Sequence, residues 1–320
     1  SVPQNERDLS IGDPRGLAWK SDGTRAFITG MGSNNIIVVG AAFNRIAQVN
    51  VGKGPTGVKF DQARGLVYVL NKFDGNVSVI NEASLTETQR VSFFDPTPAV
   101  IKIGRPFLYD THRTSGLGQA SCGSCHIDGR MDQLAWDLGD PSGQVKLFNQ
   151  TCQAPLGGAC ENWHPMKGPM ATQTLVGIMG TGPLHWRGDR EDLAAFNGAF
   201  EGLLGDDIQL TPQEMSDFTD FVATLRFPPN PNRNIDDTLK TTFPNGGNPQ
   251  NGQNRFLNQP IDGGVLTCVF CHAMPTGTNG TITPAVALQD TQSVKIPQLR
   301  NMYEKTGFLV TSQNNNKGFG

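Results

Sequence analysis

The first hundred residues repeat themselves, and this limits what the chain can become more than any other feature. Pro14-Arg15-Gly16-Leu17-Ala18-Trp19 recurs as Pro55-Thr56-Gly57-Val58-Lys59-Phe60, and Ala26-Phe27-Ile28-Thr29-Gly30 recurs as Val67-Tyr68-Val69-Leu70-Asn71. Asn35-Ile36-Ile37-Val38-Val39 matches Asn76-Val77-Ser78-Val79-Ile80 at the same offset, so the period is 41 residues, and Pro96 falls where a third copy would start. Each copy holds three or four short β-rich runs separated by Gly, Asp and Asn turns, which suits a four-stranded propeller blade. A propeller closes with about four blades or more, yet only a little over two fit before residue 98. Open sheet edges on both sides are therefore expected, and with them a fragment of a longer polypeptide whose remaining blades come from the same precursor or another chain. The alternative is a small open sheet covered by the rest of the chain. The run from Gln313 to Gly320 reads as a loop, compatible with truncation or with a frayed tail.

The wording of the repeat resembles the YVTN family of β-propellers. Beyond it, 320 residues at about 150 per domain leave room for further domains. A net charge of -3 with 17% charged residues argues against a basic nucleic-acid binder, and Gly 38 with Pro 21 argues for short elements rather than a long bundle. No run of 18 apolar residues exists, so no membrane span is expected. Ser1 is not a Met and no charged-then-apolar leader follows it, so any signal peptide is expected to have been removed or to lie outside this sequence.

Four of the six cysteines form two copies of one pattern, Cys122-Gly-Ser-Cys125-His126 and Cys268-Val-Phe-Cys271-His272. Each reads as a c-type haem attachment site. Two thiols three residues apart add to the two vinyl groups of one porphyrin, and the adjacent histidine, His126 or His272, then lies under the iron as proximal ligand. The competing readings are a zinc site built from both pairs, which leaves the two histidines unexplained, and a redox dithiol, which would occur once beside a βαβ pattern. Cys152 and Cys160 bracket a Pro- and Gly-containing loop and are expected to form a disulfide. Covalent haem and a disulfide together predict a periplasmic or extracellular location.

From about Ile101 the repeat gives way to helical pieces. Thr211-Pro212-Gln213-Glu214-Met215 carries a Thr cap and Pro in the first turn, and Phe218, Phe221, Val222 and Leu225 follow at helical spacing. Pro228 to Gln253, rich in Pro, Asn and Gly, reads as a linker. The expected architecture is multidomain: a partial β-propeller over 1–98, a mainly α cytochrome c lobe over 99–230, and a second, truncated cytochrome c lobe over 231–320.

Residues 103 to 320 resemble the bacterial di-haem cytochrome c peroxidase and MauG superfamily. Gly104-Arg105-Pro106-Phe107-Leu108-Tyr109-Asp110, then Ser115-Gly116-Leu117-Gly118, looks like that family's entry to its N-terminal haem. Trp163-His164-Pro165-Met166-Lys167-Gly168-Pro169 looks like the segment with the distal histidine of that haem, which implies His164 as an iron ligand. His185-Trp186-Arg187-Gly188-Asp189-Arg190 looks like the W-D-G-R segment, which implies Trp186 as an electron bridge between haems. Lys295-Ile296-Pro297-Gln298-Leu299-Arg300-Asn301 looks like the segment after the second haem. The family's acid for cleaving peroxide has no clear counterpart here, and Glu201, Asp206 and Asp207 are the candidates. Its calcium site uses an Asn where this chain has Ala171 or Thr172, which speaks against calcium. The distal ligand of the second haem would lie beyond Gly320.

The remaining candidates keep two readings each. Met166 and Met170 are competing iron ligands or packing residues, and His112 is a haem-edge or loop residue. His185 bonds a propionate or sits beside Trp186, while Arg187 and Arg190 pair with propionates or are solvated. The expected function is one-electron transfer by a di-haem c-type cytochrome with a redox partner protein. The alternative is a peroxidase or MauG-type oxidase acting on hydrogen peroxide at one haem.

Overall fold

The computed structural model describes residues 1–153, 157–261, 263–300 and 302. Asn301 and the tail from Gln313 to Gly320 lie outside them, as does the middle of the loop between Cys152 and Cys160. The chain forms two compact units, one of Ser1–Gly129 with Phe196–Thr224, the other of Arg130–Ala195 with Leu225–Gly320.

In the first unit the repeat folds as its sequence suggests. Strands β1 (Pro14–Trp19), β2 (Arg25–Gly30), β3 (Asn35–Gly40) and β4 (Arg45–Asn50) form a four-stranded sheet in sequence order. Strands β5 (Pro55–Asp61), β6 (Leu66–Asn71), β7 (Asn76–Asn81) and β8 (Thr86–Ser92) form a second. All neighbours are antiparallel, and each strand of the second sheet begins 41 residues after its counterpart. The irregularity between Val38 and Val39 returns between Val79 and Ile80, so the repeat preserves the kink as well as the strands. Two four-stranded antiparallel sheets of this kind are the layout of propeller blades.

Burial explains why the strands hold together. Phe27, Ile36, Val38, Val49 and Val51 of the first copy join Val67, Val69 and Ile80 of the second in one apolar core. Phe27 stacks on Phe60 with ring centroids 5.8 Å apart. Strand β8 is the contrast: Thr-Glu-Thr-Gln-Arg-Val-Ser is exposed along nearly all its length, with a Glu87–Arg90 ion pair on its face. Charge on an outer strand discourages further pairing.

After β8 the chain enters helix α1 (Ala99–Tyr109). Asp110, in extended conformation, ends it and accepts the Arg113 N–H to cap the single turn α2 (Thr111–Thr114). One further turn, α3 (Cys122–Cys125), carries the first Cys-x-x-Cys-His. Later in the chain come α4 (Gly198–Gly202) and α5 (Pro212–Ala223). Helix α5 starts at the capping box Thr211–Glu214 with Pro212 in its first turn, and buries Met215, Phe218, Phe221 and Val222, as the helical spacing predicts. It lies against α1 so closely that a Cβ on Gly104 would be 2.2 Å from the Asp217 carbonyl oxygen.

This contact redraws the division read from sequence. The segment 99–129 shares a unit with the repeat, and 196–224 returns to that unit because α5 packs on α1. The remainder of the expected first lobe, 130–195, goes with 225–300 and 302 of the described chain.

The second unit is built of short pieces. Strand pairs β9 (Ala135–Asp137) with β10 (Pro169–Ala171), β11 (Pro260–Ile261) with β12 (Leu266–Thr267), and β13 (Ile282–Thr283) with β14 (Val294–Lys295) are joined by irregular backbone. α-Helix is confined, among the described residues of this unit, to α6 (Pro249–Asn258) and the single turns α7 (Cys268–Cys271) and α8 (Ala285–Leu288). The mainly α character expected here is therefore not what the backbone adopts, since Pro and Gly interrupt any long helical run. The expected linker is irregular as far as Asn248, and its last residues begin α6. Cys152 and Cys160 form the expected disulfide, with Cα atoms 5.8 Å apart. Among the described residues no helix is long and apolar enough to cross a membrane.

Candidate functional site

The two Cys-x-x-Cys-His segments fold alike although their inner residues differ. In each, the cysteines open and close one helical turn and the histidine caps it, with the His126 N–H donating to the Cys122 carbonyl and the His272 N–H to the Cys268 carbonyl, both at 2.9 Å. The histidines leave the helix at nearly the same angles, φ -86° and ψ 59° for His126, φ -98° and ψ 61° for His272. Residues three apart in a helical turn share a side, so each pair of thiols faces one way while the next residue turns off the axis.

The surroundings of His272 add a chemical constraint. Its Nδ1 lies 3.0 Å from the Gly277 carbonyl oxygen and 3.0 Å from the Pro297 carbonyl oxygen. Two acceptors there require Nδ1 to carry the proton, which leaves the Nε2 lone pair for a metal. Second-shell carbonyls of this kind orient a ligating imidazole and raise its basicity. The donor set therefore fits a haem held by Cys268, Cys271 and His272, and the matching turn fits a second held by Cys122, Cys125 and His126. The competing readings fit less well. Burial pushes the Cys122 thiol up to about 11, against the lowered value a reactive dithiol needs. Among the described residues no group of three or more His, Cys, Asp and Glu side chains is placed to cage a metal ion.

The other candidate residues divide between the units. In the first, Glu201 on α4 is exposed and accepts from Gln209 Nε2 at 2.6 Å. Asp206 pairs with the buried Arg7 at 2.9 Å, and Asp207 bonds both Arg7 and Ser1. His112, on α2, meets the Ser10 hydroxyl at 3.0 Å, and its carbonyl accepts from Gln4 near the start of the chain. In the second unit His164 is exposed, and its Nδ1 accepts the Met166 N–H at 3.1 Å, which puts the proton of a neutral ring on Nε2. Met166 is exposed and Met170 half-buried on β10. Trp186 is half-buried and donates to the Ala171 carbonyl at 2.7 Å.

Around Trp186 the charges are already committed. Arg187, 4% exposed, donates Nη1 to the His164 carbonyl at 2.6 Å and reaches Asp189 at 3.5 Å. Arg190 lies 3.9 Å from the same carboxylate, and His185 Nδ1 lies 2.8 Å from it. Burial pulls His185 below the ordinary imidazole range, so it is neutral at pH 7 and donates Nδ1–H to Asp189. Burial alone would raise Asp189, but the His185 hydrogen bond and the nearby cationic charge outweigh it and hold the carboxyl well below the usual range. Asp189 is thus the anion for both arginines read as propionate partners, and among the described residues the buried Arg187 Nε has no acceptor. Sequence reasoning passed over Asp189 although it lies between the two arginines, and passed over the carbonyls that fix His272, which no residue type announces.

No protein-family model matches the chain, and no curated protein matches it. Solved structures with local likeness include hydrazine synthase of Kuenenia stuttgartiensis, at 20% identity over 27% of this chain and 25% of that one, with a TM-score of 0.26. A β-propeller domain from Myceliophteria thermophila aligns at 9% identity over 28% of this chain and 27% of that one, with a TM-score of 0.25. Saccharomyces cerevisiae Sqt1 aligns at 17% identity over 27% of this chain and 21% of that one, with a TM-score of 0.23. This chain spans about a quarter of the length of each. Likeness of this extent carries no functional inference.

Proposed function

We propose that this chain is a di-haem c-type cytochrome whose task is one-electron transfer. The observation that carries the reading is the pair of matching Cys-x-x-Cys-His turns, with His272 held at Nδ1 by Gly277 and Pro297 so that Nε2 is free to ligate. Bound haem would supply the one-electron iron couple. The chain's part is to fix each porphyrin through Cys122 and Cys125 or Cys268 and Cys271, to orient His126 and His272, and to surround the groups with a chosen polarity. Covalent haem and the Cys152–Cys160 disulfide support a periplasmic or extracellular location. A redox protein is the partner such chemistry needs, and the two sheets support further blades from the same precursor or another chain. The peroxidase reading requires an acid for peroxide, whereas Asp206 and Asp207 bond Arg7 and Glu201 bonds Gln209, which favours electron transfer.

The test is mass spectrometry of the denatured native protein together with EPR of its half-reduced form, with and without hydrogen peroxide. Two covalent haem increments, one of them lost in Cys268→Ala/Cys271→Ala, and low-spin signals indifferent to peroxide are expected. A chain without covalent haem refutes the reading; a high-spin signal altered by peroxide replaces it with the peroxidase.

A further inference from the structure

The second unit buries a lysine with no acid beside it. Lys295, on β14, is 5% exposed, and among the described residues no carboxylate forms an ion pair with it. Among the described residues its Nζ donates one bond, to the Thr181 carbonyl at 3.0 Å, which leaves two ammonium donors over. Its backbone N–H donates to the Trp186 carbonyl at 2.7 Å, so the residue is fixed to the segment that carries Trp186.

Lys295 lines a cavity of about 50 Å³, with Thr172, Thr174, Thr181, Trp186 and Gln298 among its walls. None of the lining residues is Asp or Glu. The Thr174 hydroxyl accepts the Val176 N–H at 3.2 Å, so its own O–H is available to donate. The Trp186 N–H is already spent on Ala171. A buried ammonium is costly unless paired, and a chamber of this volume holds a few water-sized groups, enough for one carboxylate head. Pro297, whose carbonyl faces His272 Nδ1, lines the same cavity.

We propose that the Lys295 cavity binds a carboxylate, with the Lys295 ammonium as its counter-ion and Thr174 as a second donor. Two sources share this chemistry: a propionate of the haem attached at Cys268 and Cys271, or a small free carboxylate. The first source rests on the proposed haem attachment and the second does not.

The experiment uses the whole native chain in carboxylate-free buffer, with Lys295→Met and Lys295→Arg variants. Midpoint potentials of both haems are measured by spectroelectrochemistry, and thermal midpoints are followed against sodium formate with sodium chloride as the control. With a propionate in the cavity, Lys295→Met lowers the midpoint of the second haem alone, because a positive charge near the iron favours the reduced state, and Lys295→Arg restores it. With a free carboxylate, formate raises the thermal midpoint of the wild-type chain saturably, chloride does not, and Lys295→Met abolishes the effect. A Lys295→Met chain with unchanged potentials, together with a wild-type chain indifferent to formate, overturns the proposal. Should Lys295→Met fail to fold, Lys295→Arg and the formate titration of the wild-type chain decide. A chain that carries no covalent haem refutes the functional reading, and the formate titration then judges the cavity by itself.

Discussion

Replacing Asp189 with Asn tests whether this carboxylate, rather than an external anion, neutralises the arginines beside Trp186. Asn keeps the volume and still accepts from His185, so the substitution isolates the charge. Breaking a buried ion pair by removing one partner costs about 3–5 kcal/mol. Here the Arg187 contact is long at 3.5 Å, and the Arg190 side chain is 31% exposed at 3.9 Å, so screening reduces the second contribution. The lower end, about 3 kcal/mol, is the expected loss at pH 7. The pH dependence has a definite sign. The folded-state pKa of Asp189 lies below the ordinary value of 3.8, so its contribution is complete above that value and disappears as pH falls through the depressed one. Urea unfolding of the wild-type and Asp189→Asn chains, followed by the tryptophan fluorescence that Trp186 contributes to, should show a gap that is constant from pH 7 to about 5 and closes in stronger acid. A gap under about 0.5 kcal/mol at pH 7, or one that widens in acid, refutes the argument and returns Arg187 and Arg190 to the propionates.

Three further perturbations read other parts of the molecule. Phe27→Ala, at a side chain that is 0% exposed and stacked on Phe60, should cost about 4 kcal/mol and loosen both four-stranded sheets together, seen as faster amide exchange in β6 as well as β2. Thr211→Ala removes the cap of α5 and should cost about 1 kcal/mol by denaturant unfolding, with Thr211→Ser restoring most of it. Burial lowers the Lys295 ammonium from 10.5 to about 8, so in a Cys268→Ala/Cys271→Ala chain without added carboxylate, stability should rise by about 3 kcal/mol between pH 8 and 10.5, a rise absent from the same chain with Lys295→Met.

The parts of this fold that were legible in sequence are those written locally. Strand, turn and strand recur every 41 residues with the same apolar positions, and the sheets follow with the same kink. The start of α5 is visible because Thr211, Pro212 and Glu214 act within one turn. What the sequence hides is set by residues far apart along the chain. Helix α1 finds α5 more than a hundred residues later because Gly104 permits the approach, and no pattern in either helix names the other. Lys295 is buried by contacts with Thr181 and Trp186, more than a hundred residues earlier in the chain, which its own segment does not announce. Asp189, which lies within 3.9 Å of both arginines beside Trp186, looks from sequence like one more solvated charge.

The two Cys-x-x-Cys-His turns also show how one motif is held in different ways. In α3 the residue after Cys122 is Gly123, and a Cβ there would lie 2.8 Å from the Tyr109 ring and 3.0 Å from the Leu108 carbonyl oxygen. The turn is pressed against the end of α1, where burial pushes the Tyr109 hydroxyl up to about 12. In α7 the inner residues are Val269 and Phe270, and Phe270 is 44% exposed. That turn is anchored through its histidine, by the carbonyls of Gly277 and Pro297. Tight packing and the Ser121–Ser124 capping box hold the first turn, and carbonyl acceptors at Nδ1 hold the histidine of the second. If both turns carry haem as proposed, they should differ in potential, since the hydrogen bonds to an axial imidazole and the dielectric around it are separate controls on a haem potential.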